Sequence, residues 1–153
     1  MCPFCFVIKG VENKNVDTKQ QDIIYRDAFI TAFISSHWWP NNPGHVIVVP
    51  NKHCENIYDI EDEYLTKIHL FAKKVAIAIK KVYKPDGTSL RQHNEPAGGQ
   101  DISHYHLQIF PRYLHDDLYL NHLKKKLVSP EVRSTYAEKL RKYFNKTTLT
   151  SPP

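Results

Sequence analysis

No apolar run in this 153-residue chain approaches the ~20 residues that a membrane-spanning helix needs. The opening residues, Met1-Cys2-Pro3-Phe4-Cys5, lack the basic start and apolar stretch of a secretory signal. Cysteine is scarce: three is an odd, small number that does not build a disulfide framework. These absences predict a cytosolic protein with no membrane partner. Internal repeats and low-complexity segments are absent too. What remains is ordinary for a soluble globular protein, with 41% hydrophobic and 24% charged residues. The length fits one domain, which buries roughly 68–70% of the surface its unfolded chain exposes. A formal charge of +5 favours anionic partners without choosing among nucleotides, polynucleotides and acidic membranes. The densest basic run, Lys124-Lys125-Lys126, reads as a solvated face.

Periodicity divides the chain. Residues 10–21 are polar and read as a loop. Ile23–Tyr25 and Ala28–Ile34 read as short strands joined at Arg26-Asp27. His37 to Gly44, with two prolines, two asparagines and a glycine, reads as a loop, and His45–Val49 as a buried strand stopped by Pro50. Over residues 62–83, Leu65, Ile68, Ala72, Val75, Ile79 and Val82 form one apolar stripe, the mark of a helix on a sheet. Asp59 can cap it, Asp62 and Glu63 suit its start, and lysines 80, 81 and 84 its end. A second helix is expected from Pro130 to about Phe144 behind Ser129, with Val132, Tyr136, Leu140 and Tyr143 inward. Lys146–Pro153 reads as a frayed tail.

Chemistry concentrates between Asn94 and Arg112. From His104 the residues alternate, so Tyr105, Leu107 and Ile109 point one way and His104, His106 and Gln108 the other. Same-face neighbours on a strand sit about 6.5–7 Å apart, so three side chains able to meet a metal or a phosphate form a row. Alone, His-x-His describes many half-exposed strands. Here Asn94-Glu95-Pro96-Ala97-Gly98-Gly99-Gln100 precedes it, a flexible turn whose backbone N–H groups can cradle an anion. Cys2-Pro3-Phe4-Cys5 reads either as a redox pair or as half of a zinc site.

In order and spacing, these stretches resemble the histidine triad (HIT) superfamily. The matches are Pro43-Gly44-His45-Val46-Ile47-Val48-Val49-Pro50-Asn51-Lys52-His53, then Asn94 with Ala97-Gly98-x-Gln100, then His104-x-His106-x-Gln108 ending at Pro111-Arg112. They cover roughly residues 2–112. The resemblance implies an α+β HIT-like fold, a five-stranded, mainly antiparallel sheet with one long helix across it and a C-terminal helix. Residues 1–120 would be the domain with its N-terminal zinc knuckle, and 121–153 a helical extension and tail of the same domain. It also implies a homodimer acting on a nucleotide or dinucleoside polyphosphate.

By the same resemblance His106 attacks the α-phosphorus of the substrate, giving a nucleotidyl-histidine that water or a second acceptor resolves. His106 and Gln108 are then catalytic, while Asn94, Gly99, Gln100, His45 and His37 contact the substrate. Asn94 and Gln100 also have a plainer reading, as loop residues bonding their own backbone. Cys2, Cys5, His53 and His104 match the ligands of a structural zinc ion, a closed tetrahedral site. Cys54 faces away from its neighbour His53 and reads as a small buried hydrophobe.

Two departures from the family pattern shape the expected chemistry. Gln108 stands where most small hydrolases of the family carry a histidine; the transferase and phosphorylase branches carry glutamine there. An amide donates a hydrogen bond but never titrates, so phosphoanhydrides are expected to be better substrates than phosphoramidates, with some tilt towards transfer. His37 stands where a ribose-binding acidic or amide residue is common. With Trp38 and Trp39 it could stack on a base or sugar, or form a dimer contact. A non-catalytic nucleotide-binding module and a zinc-stabilised nucleic-acid binder are the rivals. His106 in its phosphate-binding context argues against both, and nucleic acid is not an expected partner.

Overall fold

The computed structural model describes residues 2–149, the side chain of Leu149 excepted. β2 (Ile30–Ile34) and β4 (Val46–Pro50) are buried at every position. Their branched apolar side chains suit a pleated surface covered on both sides. They pair antiparallel, Ile30 against Pro50 and Ile34 against Val46. β1 (Ile23–Arg26), β5 (Gly87–Gln92) and β6 (Leu107–Arg112) complete a five-stranded antiparallel sheet in the order β1-β2-β4-β6-β5.

The two-residue period of the strands sorts side chains between two layers. Ala32, Ile34, Val46, Val48, Leu107 and Ile109 join the main core beneath α2 (Asp62–Val82) and α3 (Pro130–Leu149). Phe33, Ile47 and Val49 face the other way, onto Phe4 and Val7 of α1 (Pro3–Lys9). The second layer is thin, and it is where His106 emerges.

The expected stripe of α2 is observed: Ile68, Ala72, Val75 and Ile79 are fully buried. Its cap is not, because Glu61 occupies the N-cap without a side-chain bond and Asp59 lies outside the helix. The first turn of the sheet is shifted: Asp27 Oδ1 accepts from the N–H groups of Phe29 and Ile30, at 2.7 and 2.8 Å, so the turn takes Asp27–Phe29 and β2 starts later than expected. The loop read at His37–Gly44 contains β3 (His37–Trp38), paired with β7 (Lys126–Leu127). α3 follows Ser129, whose Oγ accepts from the Val132 N–H at 3.5 Å, but Val132 itself is exposed. The helix continues through Lys146 to Leu149, correcting the frayed tail there; Thr150–Pro153 lie outside the described residues. Arg133, fully buried, fastens α3 to the turn before β1 by donating to both carboxylate oxygens of Asp22, at 3.0 and 2.9 Å. Among the described residues no helix is long and apolar enough to cross a membrane.

A second buried carboxylate fixes the loop that carries Trp39. Asp116 accepts from Arg112 Nε and NH2, from Asn42 Nδ2 and from the Tyr113 and Leu118 N–H groups. The Arg112 bonds, with those N–H and amide donors, hold its carboxyl far below the ordinary 3.8 despite its burial. A depressed folded-state pKa contributes stability above the unfolded value and loses it as pH falls below. Asp116→Asn should therefore lower stability at pH 7 by about 1.5–3 kcal/mol. The gap from wild type should shrink between about pH 5 and pH 3, as read by urea unfolding across pH.

Candidate active site and metal centre

His106 immediately precedes β6, which starts at Leu107 and not at His104 as the alternation suggested, and lies on the thin layer of the sheet. Its Nδ1 lies 2.8 Å from the carbonyl oxygen of His104, so Nδ1 carries the proton and donates, leaving Nε2 with a free lone pair. Burial holds the imidazole below its ordinary 6.5, although the His104 carbonyl and Asp101 both pull upward. The ring is thus neutral near pH 7. Phe4 of α1 meets it edge-on, with ring centroids 5.5 Å apart.

Phe4 sits between two cysteines, and both reach the same point. Cys2 Sγ lies 3.3 Å from His104 Nδ1, Cys5 Sγ 3.5 Å from His53 Nδ1, and the two histidine nitrogens are 3.2 Å apart. All four ligand atoms lie within 4.8 Å of one another. Around a tetrahedral zinc ion with Zn–N near 2.0–2.1 Å and Zn–S near 2.3 Å, ligand atoms stand about 3.3–3.8 Å apart. The arrangement therefore fits that metal. His104 Nε2 lies 3.0 Å from the Pro50 carbonyl, which turns Nδ1 towards the cysteines. Burial pushes His104 down to about 4, the neutral form a ligand needs. Burial and the Cys2 sulfur push the Cys5 thiol up to about 11, a penalty on the thiolate that a dication reverses. The cysteines are not joined as a disulfide. Cys54, half-buried and packed on the main core, stays outside the cluster.

Beside His106 opens a cleft of about 260 Å³, lined by His37, Trp39, His45, Ile47, Gln108 and Phe4 among others. His45 is 1% exposed and stacks on Phe110 at 4.3 Å; burial drives it down to about 3. His37 and Trp39 face the cleft, but Trp38 does neither of the jobs expected of it. Its indole is 8% exposed, packs on Tyr136 and donates Nε1–H to the Ser35 carbonyl at 2.7 Å. Three of the expected substrate contacts lie outside the cleft lining. Asn94 Oδ1 accepts from the Ile57 N–H, and Gln100 Nε2 donates to the carbonyls of Glu55 and Ile102. Gly99, at φ +86°, accepts at its carbonyl from His93. These bonds shape the turn and fasten it to residues 55–57.

Sequence reasoning missed two charged residues of the site. Asp101 Oδ1 stands 3.7 Å from His106 Nε2, and Lys125 Nζ donates to Asp101 Oδ2 at 2.9 Å. Burial would raise the Asp101 carboxyl, but Lys125 and His106 outweigh it and hold it low. Asp101 is the lone carboxylate between Glu95 and Asp116, a signal available beforehand. Lys125 has none, since nothing separates it from Lys124 and Lys126 until β7 folds back.

This sheet, its flanking helices and a histidine held by a carbonyl two residues back define a class. The HIT domain model matches residues 17–115, and the chain belongs to that family. It is 34% identical over 113 residues to the uncharacterized HIT-like protein MJ0866 of Methanocaldococcus jannaschii, covering 74% of this chain and 80% of that one. To the adenosine 5'-monophosphoramidase HNT1 of Saccharomyces cerevisiae it is 30% identical over 113 residues, covering 72% and 62% respectively. The fold also matches the crystal structure of a zinc-bound histidine triad family protein from Mycobacterium smegmatis. There the TM-score is 0.77, with 21% identity, covering 98% of this chain and 97% of that one.

The Asp101 carboxylate faces the Nε2 side of His106. A unit charge about 4 Å away costs an anion about 1 kcal/mol even at the dielectric of water. Asp101→Asn removes that repulsion and frees Lys125. AMP should bind the variant roughly fivefold more tightly than wild type by calorimetry.

Proposed function

We propose that the protein is a nucleotidyl hydrolase or transferase that works through a covalent nucleotidyl-His106 intermediate. The observation that carries this reading is the His106 ring itself, neutral, fixed at Nδ1 by the His104 carbonyl, with Nε2 beside an open cleft. The Nε2 lone pair attacks the α-phosphorus, and the bond to the leaving oxygen breaks with its electron pair. Water or a phosphate oxygen then attacks the same phosphorus, and the P–N pair returns to Nε2. Splitting one displacement into two lowers each barrier.

Gln108 lines the cleft beside His106; its amide can donate or accept a hydrogen bond but cannot hand over a proton. General acid help is worth about 10²–10⁴-fold, chiefly to poor leaving groups such as amines. The yeast relative is named for cleaving a phosphoramidate; this chain, with an amide at that place, suits phosphoanhydrides, whose phosphate leaves as a stable anion. In His106→Ala, turnover of diadenosine tetraphosphate should be lost while nucleotide binding survives. Intact-mass spectrometry should find an adenylyl adduct on wild type and none on the variant, and wild type should prefer the tetraphosphate to an AMP amidate. Equal turnover by both proteins would end the assignment.

Zinc is the metal that Cys2, Cys5, His53 and His104 suit, and a zinc-bound family structure supports the reading. Bound there it would supply a cross-link between α1 and the strand of His106, with no open position for water. Metal analysis of untagged protein should find about one zinc ion per chain. His53→Ala should lower both the zinc content and the melting temperature.

A further inference from the structure

One cation beside Gln108 forms no ion pair among the described residues. Arg91 on β5 stands directly across from Gln108 on β6, and opposite residues of an antiparallel pair share a face with Cβ atoms about 4.5–5.5 Å apart. Arg91 therefore lies on the face that carries His106 and Gln108. It is packed inside aromatic rings, its guanidinium carbon 5.8 Å from the centre of Trp39, 5.4 Å from Phe110 and 5.5 Å from Tyr119. Its NH1 is buried with no hydrogen-bond partner, and no carboxylate pairs with it among the described residues. The neighbouring Arg112 is different, since Asp116 satisfies it with two bonds.

A buried donor left unpaired costs free energy, and a cation more so. Arg91 persists in that state because the rings hold it by cation–π contact, which stabilises the charge without using its N–H groups. Lys125, which lines the cleft, also reaches Trp39, 5.7 Å from the ring centre, and is bonded to Asp101. Two cations thus converge on Trp39, one with its N–H fork free and one able to exchange Asp101 for another anion. Guanidinium forks match phosphate oxygens in pairs.

We propose that Arg91, with Lys125, forms a subsite for a second phosphate group, the one beyond the bond that His106 breaks. It rests on His106 being the nucleophile only for the identity of that bond. The same tetrahedral dianion has two sources: the leaving phosphate of a dinucleoside polyphosphate, or inorganic phosphate arriving as acceptor. In the first step the P–O bond to the bound phosphate breaks and that oxygen keeps the electron pair. In the second, an oxygen of bound phosphate attacks the α-phosphorus, the P–N bond breaks, and a nucleoside diphosphate forms. Both steps place a phosphate next to Gln108, and a substrate without one gains nothing from Arg91.

The test compares wild type with Arg91→Met, which keeps the apolar packing, and Arg91→Lys, which keeps the charge. Two substrates are used: diadenosine tetraphosphate, and the 4-nitrophenyl ester of AMP, which has no second phosphate. The ratio of kcat/KM for the tetraphosphate to that for the ester should fall about tenfold or more in Arg91→Met and recover in part in Arg91→Lys. A ratio unchanged within about twofold overturns the subsite, as does an equal loss on both substrates. Calorimetry gives an arm independent of turnover: the advantage of ADP over AMP in wild type should vanish in Arg91→Met, and its persistence overturns the proposal even if His106 proves not to be the nucleophile. Added inorganic phosphate separates the sources. ADP appearing from the nitrophenyl ester in wild type and not in Arg91→Met supports the acceptor; its absence, with the tetraphosphate ratio still shifted, supports the leaving group.

Discussion

The hydrogen bond from His106 Nδ1 to the carbonyl of His104, 2.8 Å long, is the constraint on which the site turns. It selects one tautomer, so the nitrogen towards the cleft is always the basic one. The same residue that gives this carbonyl turns its own ring away, donating to Pro50 and facing the two cysteines. His104 is therefore held at both ends, and its backbone cannot drift without disturbing the cluster. A nucleophile must sit within fractions of an ångström of its attack line. Here the sheet, through β4 and β6, and the cluster, through His104, fix the same short stretch of chain.

Electrostatics divide the cleft into parts with different tasks. His45 and His106 are kept neutral by burial, so neither competes for anions as a cation. Positive charge enters instead from Lys125, which leaves the solvated face expected of its basic run, and from Arg91 behind Trp39. Asp101 stands 3.7 Å from His106 and is paired with Lys125 at 2.9 Å, so it carries the one negative charge among them. The net charge of the chain told none of this, because half of its lysines sit on α2 and α3, away from the cleft.

Much of the architecture was legible because periodicity is a local property. The α2 stripe, the β2 and β4 runs and the alternation after His104 all follow from side chains choosing a face. β5 was not legible: Gly87–Gln92 is half-exposed on an outer strand, so neither alternation nor an apolar run marks it. The short β3–β7 pairing escaped because only the closing of a distant segment makes it. Trp38 misled for a related reason. In a loop of prolines and asparagines a tryptophan reads as exposed, but Tyr136 of α3, almost a hundred residues on, gives its indole a pocket. The polar cluster around His106 was legible as ligand types at set spacings, whereas Asp101, Lys125 and Arg91 needed three separate segments brought to one place.

The two walls of the cleft differ in how firmly they are built. One is a sheet strand with neighbours on both sides. The other is α1, seven residues long, shorter than a helix that holds itself in water. It stays folded through Phe4 and Val7 in the thin layer and through Gln20 and Arg26, which bond the Val7 carbonyl at 2.9 and 2.8 Å. Such a unit can come away while the sheet remains intact, a local opening far cheaper than global unfolding. The edge of Phe4 would then leave the ring of His106, and two of the four sulfur and nitrogen ligands would go with it. α1 and the sheet are thus held by separate sets of contacts, the first by the few anchors of one short helix and the second by five paired strands.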